Sequence, residues 1–228
     1  MAKAKSKKTP VYVDIVSDVI CPWCWLGARY FRKAADQYAS QHKGTVELSW
    51  RPYMLDASVP PEGVPYKDYM KNKFGEAGPG SRWTAMREHL EAAGPELGIT
   101  FNFSGIKMRP NTLNAHRLLR WAQGQGKADA MSDALFKAVF TDNLDIGDKA
   151  VLTHLSGEVG LDSDLVEELL ASDRDAADVT NEIFHFRSLG VSSVPTFIYN
   201  GQFAVQGAQP VDKHLKAFAE AAKHPAGS

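Results

Sequence analysis

Asp14-Ile15-Val16-Ser17-Asp18-Val19-Ile20-Cys21-Pro22-Trp23-Cys24 is the stretch on which the reading of this sequence turns, because it holds the only two cysteines among 228 residues. It begins in an apolar, strand-like run and opens a helical pattern. Two thiols at i and i+3 on the first turn of a helix share one face and are close enough to form a disulfide. The first lies at the positive end of the helix dipole, the end that stabilises an anion. A thiolate is the nucleophile of disulfide exchange, and a second thiol one turn away can resolve the mixed disulfide that results. The pattern points to redox chemistry.

The bulk numbers agree with an ordinary globular chain: 44% hydrophobic and 23% charged residues leave enough apolar side chains for a full core. A formal net charge of −1 gives no electrostatic footprint for nucleic acid or an anionic membrane. Lys3, Lys5, Lys7 and Lys8 are the exception, and read as a solvated, frayed tail. A signal peptide needs an uncharged apolar run after such a basic start, whereas Val11 to Ile20 carries Asp14 and Asp18. No stretch approaches the roughly 20 apolar residues of a membrane span, so the expectation is a soluble cytoplasmic protein. Two cysteines there form no disulfide scaffold and are more often catalytic or metal-binding.

Val11, Val13 and Ile15 alternate with Tyr12, Asp14 and Val16, which predicts a buried central strand. Asp14 and Asp18 are open to two readings. They could be buried carboxylates that move protons to or from Cys24, or a hydrogen-bonded Asp14 and a turn or cap at Asp18. Pro22 stands where a helix loses no hydrogen bond to proline. Leu26, Tyr30, Ala34 and Tyr38 form a helical stripe ending near Gly44, and Val46, Leu48 and Trp50 mark a second strand. Strand, helix and strand of this length read as a right-handed parallel crossover.

After the proline-rich connection from Asp56 to Pro65, the patterning is almost wholly helical to about Gly190. Tyr66 to Phe74 and Arg82 to Ala93 are two helices. Asn111 is the expected N-cap of a third, and Thr100 to Phe103 a loop or short extended piece. Beyond Gly190, Thr196 to Tyr199 and Gln202 to Val205 flank Asn200-Gly201, the strongest short signal for a hairpin, and Pro210 opens a final helix. The expected architecture is α/β, with residues 10–60 and 173–224 forming two halves of one domain around an inserted helical domain at 61–172.

This arrangement resembles the thioredoxin-fold oxidoreductases, and within them the DsbA-like family with its all-helical insertion, in particular the FrnE-like subgroup. The residues that carry the resemblance are Asp14 to Gly27, Arg109 to Leu113 with Ala115-His116-Arg117, Ile146-Gly147-Asp148, Gly190 to Thr196, and Gly207 to Pro210. The resemblance implies that Cys21 attacks and Cys24 resolves, with Pro22 and Trp23 in support. It also implies a cis Val194-Pro195 bond beside the cysteines, with Val194 free to pair with an extended peptide. DsbA has a histidine before its second cysteine. Trp23 stands there instead and carries no charge, so the expected pair is less oxidising. Thr196 replaces an aromatic residue common in the subgroup, which bears on substrate preference.

The expected function is thiol-disulfide exchange on protein or peptide substrates, with no metal or organic cofactor and with glutathione as a possible reductant. A reducing cytosol favours reduction or isomerisation over oxidation. The helical insertion also resembles kappa-class glutathione transferases and 2-hydroxychromene-2-carboxylate isomerases, whose first cysteine position is commonly serine; both thiols here argue against that reading. A redox sensor or metal-binding protein is the third alternative. Zinc usually takes four ligands, and no second CxxC or His-x(3–5)-His pair completes a set. Trp23 reads as an apolar lip for substrate and Trp25 as core; His116 reads as a solvated or helix-face residue, with a place facing the active site across the domain junction as the alternative, and His89 and His185 carry no partner signal. No oligomeric state is legible in the sequence.

Overall fold

The computed structural model describes residues 10–42 and 45–226; the lysine cluster at Lys3 to Lys8 and the helix end near Gly44 lie outside the described residues. Strand β1 (Val11–Ser17) is followed by helix α1 (Pro22–His42) and strand β2 (Val46–Pro52). β1 and β2 pair in parallel from Val11 opposite Val46 to Ser17 opposite Pro52, so α1 is a crossover helix. The chain returns to this sheet through helix α8 (Ala176–Ser188), the hairpin of β5 (Thr196–Tyr199) and β6 (Phe203–Gln206), and helix α9 (Val211–Ala221). The four strands lie in the order β2-β1-β5-β6, with β5 antiparallel to both neighbours. β1 is therefore central, as its apolar composition requires.

Asn200 and Gly201 both have positive φ, 51° and 70°, and the Gln202 N–H closes the turn onto the Tyr199 carbonyl at 2.9 Å. Positive φ at both central positions matches the right-handed twist of the strands they join. Asn200 does more than turn the chain. Its Oδ1 accepts the Tyr12 N–H at 2.9 Å and its Nδ2 donates to the Ala221 carbonyl at 3.0 Å, tying the hairpin to β1 and α9.

One face of the sheet is covered by α1 and α9. Phe31 stacks on Phe197 at 5.3 Å and meets Phe218 at 5.6 Å, while Tyr38 stacks on Phe218 at 4.9 Å. Phe31 holds the buried place on the α1 stripe, and Tyr30, expected there from spacing, is half-buried instead. The other face carries Val16 and the loop residue Tyr53 against Phe186 of α8 and Val191.

Between β2 and α8 run α2 (Tyr66–Phe74), α3 (Arg82–Ala93), α4 (Leu113–Gly124), α5 (Ala128–Phe140), α6 (Lys149–Glu158) and α7 (Ser163–Ala171). This region is not wholly helical: β3 (Val64–Pro65) pairs with β4 (Met108–Arg109), and Thr100 to Phe103 forms no strand. The N-cap of α4 is Thr112 rather than Asn111; the Asn111 side chain accepts the Leu113 N–H at 3.0 Å, which satisfies the first turn from one residue upstream. Trp25 of α1 anchors the helices to the sheet. It lies within 6.1 Å of Phe101 and Phe136, and its Nε1 donates to Asp133 of α5 at 3.3 Å. Arg32, two turns further along α1, bonds Asp129 at 2.9 Å and Asp133 at 2.6 Å.

His214 of α9 sits in the apolar layer, with Nδ1 2.7 Å from the Tyr199 hydroxyl and its ring 4.6 Å from Phe197. Burial pushes its imidazole down from 6.5 to about 4. The unfolded chain binds this proton more tightly, so the contribution is fully present above pH 6.5 and is lost as pH falls toward 4. The loss amounts to roughly 3 kcal/mol across that window. Denaturant unfolding at a series of pH values should show this slope in the wild type, and His214→Gln should flatten it.

Candidate active site

The junction of β1 and α1 is built by a tight turn. The Cys21 N–H donates to the Asp18 carbonyl at 2.9 Å, and the Cys21 carbonyl accepts the Cys24 N–H at 3.0 Å to start the helix. Pro22 then occupies the first helical position, where no N–H is needed. Both cysteines are free thiols, and their burial differs: Cys21 is 5% exposed and Cys24 is completely enclosed. Only the first is placed for attack from outside.

Residues 173 or more positions away complete the surroundings of Cys21. The Val194–Pro195 peptide bond is cis, and the Val194 carbonyl lies 4.0 Å from the Cys21 sulfur. The Pro195 carbonyl accepts the Gly207 N–H at 2.8 Å, which holds this loop to the end of β6. Thr196 is buried and its hydroxyl donates to the Ser193 carbonyl at 2.8 Å. α1 approaches this loop closely at Gly27, where an added Cβ would stand 2.9 Å from Pro195 Cγ and 3.2 Å from the Ala208 Cα.

The tryptophans divide as their positions suggest. Trp25 is core, 2% exposed. Trp23 is half-buried, and its ring packs on His89 of α3 with centroids 5.3 Å apart. The exposed His89, which has no signal in sequence, is thus a partner of the residue between the cysteines.

Asp18 is a fully buried carboxylate. Its Oδ2 accepts the Leu55 N–H at 2.8 Å and faces Nη2 of Arg109 at 3.9 Å, and its Oδ1 faces His116 Nε2 at 3.5 Å. Burial pushes this carboxyl up, but the hydrogen bond and charge of His116, the charge of Arg109 and the Leu55 N–H together outweigh it and hold the group below its ordinary value. Asp14 is engaged elsewhere, bonded to Arg51 at 2.6 Å. His116 corrects the sequence expectation of a solvated side chain: it is 2% exposed, because α4 turns this face toward the Tyr53 carbonyl, 2.9 Å from Nε2. Arg109 is buried beside it, with its guanidinium 5.2 Å over the Tyr69 ring. Neither residue could be assigned this place from local patterning, since both reach Asp18 from other elements.

Cys24 experiences a different field. Burial pushes its thiol well up, and the Cys21 thiol adds to the rise; the Ser17 hydroxyl and the Asp18 N–H act in the opposite direction. Cys24 therefore rests protonated in the dithiol form. Among the described residues, no group of three or more His, Cys, Asp and Glu side chains is placed to hold a metal ion. Nor is any helix among them long and apolar enough to cross a membrane.

A family model described as a DSBA-like thioredoxin domain matches residues 12–219. An uncharacterized Bacillus subtilis protein, YwbO, is 29% identical over 93% of this chain and 98% of its own. A probable DsbA oxidoreductase from Streptomyces coelicolor superposes with a TM-score of 0.85 at 28% identity, covering 94% of this chain and 91% of that one. Two more distant structures share the fold. A 2-hydroxychromene-2-carboxylate isomerase has a TM-score of 0.68 at 17% identity, covering 92% and 95% of the two chains. The cytosolic disulfide reductase DsbM from Pseudomonas aeruginosa, solved with GSH, gives 0.64 at 18%, covering 92% and 97%.

Two substitutions test this geometry. Gly27→Ala, which in an unhindered helix gains about 1 kcal/mol, should instead lower the melting temperature and slow thiol exchange, since the Ala208 backbone must move. Asp18→Asn should cost about 3–5 kcal/mol, because it strands the buried Arg109 charge. Asp18 contributes fully above pH 3.8 and less as pH falls through its lower folded value, so the Asp18→Asn variant should also lose part of the acid limb of the unfolding profile.

Proposed function

Because the chain belongs to the DSBA-like thioredoxin domain family, we propose that it is a thiol-disulfide oxidoreductase acting on protein or peptide disulfides through Cys21 and Cys24. The observation that carries this reading is the asymmetric pair itself: one thiol 5% exposed just before α1, 4.0 Å from the Val194 carbonyl, and a second fully enclosed in the first turn of that helix. Such a pair separates attack from resolution, which is what disulfide exchange needs.

In the reducing direction, the Cys21 thiolate attacks a substrate disulfide, forming a mixed disulfide and releasing one substrate thiolate that takes up a proton. Cys24 then loses its proton and attacks the Cys21 sulfur. The Cys21–Cys24 disulfide forms, the bond from Cys21 to substrate breaks, and the second substrate thiolate leaves and is protonated. A low-molecular-weight thiol such as glutathione would return the pair to the dithiol state. Extended substrate would lie along Val194, whose backbone stands beside the attacking sulfur. Pro22 and Trp23 support the site, Pro22 by starting the helix and Trp23, with His89, by walling it on one side. We assign the chain to the FrnE-like subgroup and to the cytoplasm, where net reduction or isomerisation is the favoured direction.

A glutathione-dependent transferase or isomerase is the second reading, favoured by the fold shared with 2-hydroxychromene-2-carboxylate isomerase. Two free thiols one turn apart favour the first.

Insulin reduction with dithiothreitol separates them. The wild type should accelerate it, Cys21→Ser should abolish the acceleration, and Cys24→Ser should accumulate mixed disulfides with substrate. Wild type no faster than dithiothreitol alone would remove the oxidoreductase reading. Glutathione-dependent turnover of an aromatic substrate that survives Cys24→Ser would establish the second.

A further inference from the structure

His116 uses only one of its two ring nitrogens within the protein. Nε2 lies 2.9 Å from the Tyr53 carbonyl, which can only accept, so Nε2 carries a proton and donates there, with Asp18 Oδ1 3.5 Å away. Nδ1 is buried and has no hydrogen-bond partner among the described residues. An unpaired buried polar atom costs stability and calls for an explanation. The same side chain lines a small cavity of about 20 Å³, whose other polar walls are Glu182 of α8 and Gln123 and Arg120 of α4, with Leu119 and Val179 among the apolar ones. Because Nε2 is engaged, Nδ1 is the polar atom that His116 can offer to this space.

The volume and the walls fit one water, which needs roughly 10–15 Å³ and two to four polar partners. Glu182 accepts Arg51 on Oε1 at 3.0 Å and Arg120 on Oε2 at 3.1 Å, which leaves each oxygen a second lone pair. Gln123 Oε1 accepts the Trp50 N–H at 2.6 Å and also keeps one. The two guanidinium groups held on Glu182 disfavour a metal cation in the same space. A water, by contrast, suits Nδ1 in either form, since it donates to a lone pair and accepts from an N–H.

We propose that this cavity is a site for one structural water that bridges His116 Nδ1 to the Glu182 carboxylate, and that Glu182 is thereby a positioning residue for the thiol turn. The line runs from Glu182 through the water and His116 to the Asp18 carboxylate, and from the Asp18 carbonyl to the Cys21 N–H at 2.9 Å. The charged groups along it are Arg51, Arg120 and Glu182 at the outer end and Asp18 and Arg109 at the inner end. An imidazole held at Nδ1 keeps its Nε2–H on the Tyr53 carbonyl and beside Asp18.

Water-to-protein cross-relaxation spectra of the full chain, with 15N-labelled histidine and backbone, test this. The wild type should show a long-lived water next to the His116 ring. Glu182→Gln weakens the pairs with Arg51 and Arg120 but keeps an oxygen acceptor, so the water signal and the His116 Nδ1 and Cys21 amide resonances should stay in place. Glu182→Leu removes the acceptor; the water signal should disappear and both resonances should move. Val179→Ile, which adds one methylene to the apolar wall and leaves the ion pairs intact, should do the same, and it decides the matter if Glu182→Leu does not fold. A wild-type His116 with no such water would overturn the proposal, as would a water that persists in the Leu and Ile variants or a Cys21 amide that stays in place when it is lost. Equal loss in Glu182→Gln and Glu182→Leu would assign the effect to the ion pairs and overturn it too. None of these readouts uses thiol exchange, so failure here leaves the reading of Cys21 and Cys24 intact.

Discussion

A carboxylate in a dry interior has to be answered by its neighbours, and Asp18 is answered from three parts of the chain at once. The Leu55 N–H comes from the loop after β2, Arg109 from β4, and His116 from α4. Removing a charge this deeply from water costs several kcal/mol unless opposite charge and hydrogen bonds replace the lost hydration. The helical region and the sheet therefore cannot separate without exposing or stranding this group. Because the Asp18 carbonyl also receives the Cys21 N–H, the requirement is passed directly to the turn that holds the thiols.

From that turn outward, each part of the site is fixed by contact rather than by local preference. α1 carries the Cys24 sulfur, with Cys21 on the residue just before its first turn, and also Gly27, the point at which the Pro195 loop can approach. Trp25, one residue beyond Cys24, commits the same helix to the aromatic cluster of α5. The two cysteines consequently differ in role for a reason that is purely environmental. Cys21 sits against the Val194 carbonyl, and Cys24 is completely enclosed in the core. Their chemistry is identical in solution, so the fold creates the distinction.

Much of this is legible in the residues. Period-two alternation at Val11 to Val16, the helical stripe after Pro22 and the Asn200-Gly201 turn are local signals, and the corresponding elements stand where those signals place them. The site is legible in halves. Cys21-Pro22-Trp23-Cys24 announces itself, but Val194-Pro195 is linked to it only through the family resemblance, since no local property of a proline reveals its distance from a thiol. His116 escapes the sequence because a histidine on a helix shows nothing of what lies across the interface, and the Tyr53 carbonyl and Asp18 belong to other elements. The helical stripe is one position off at Tyr30, since spacing alone does not choose between neighbouring aromatics; contact of Phe31 with Phe197 and Phe218 does.

The central claim is that Cys21 and Cys24 act as one reversible redox couple. An equilibrium titration of the protein against mixtures of oxidised and reduced glutathione, read by the fluorescence of the neighbouring tryptophans, tests it most directly. The account predicts a single two-electron transition between dithiol and intramolecular disulfide, absent from either cysteine-to-serine variant. A protein that forms no Cys21–Cys24 disulfide at any poise, or whose transition survives loss of one cysteine, would contradict it.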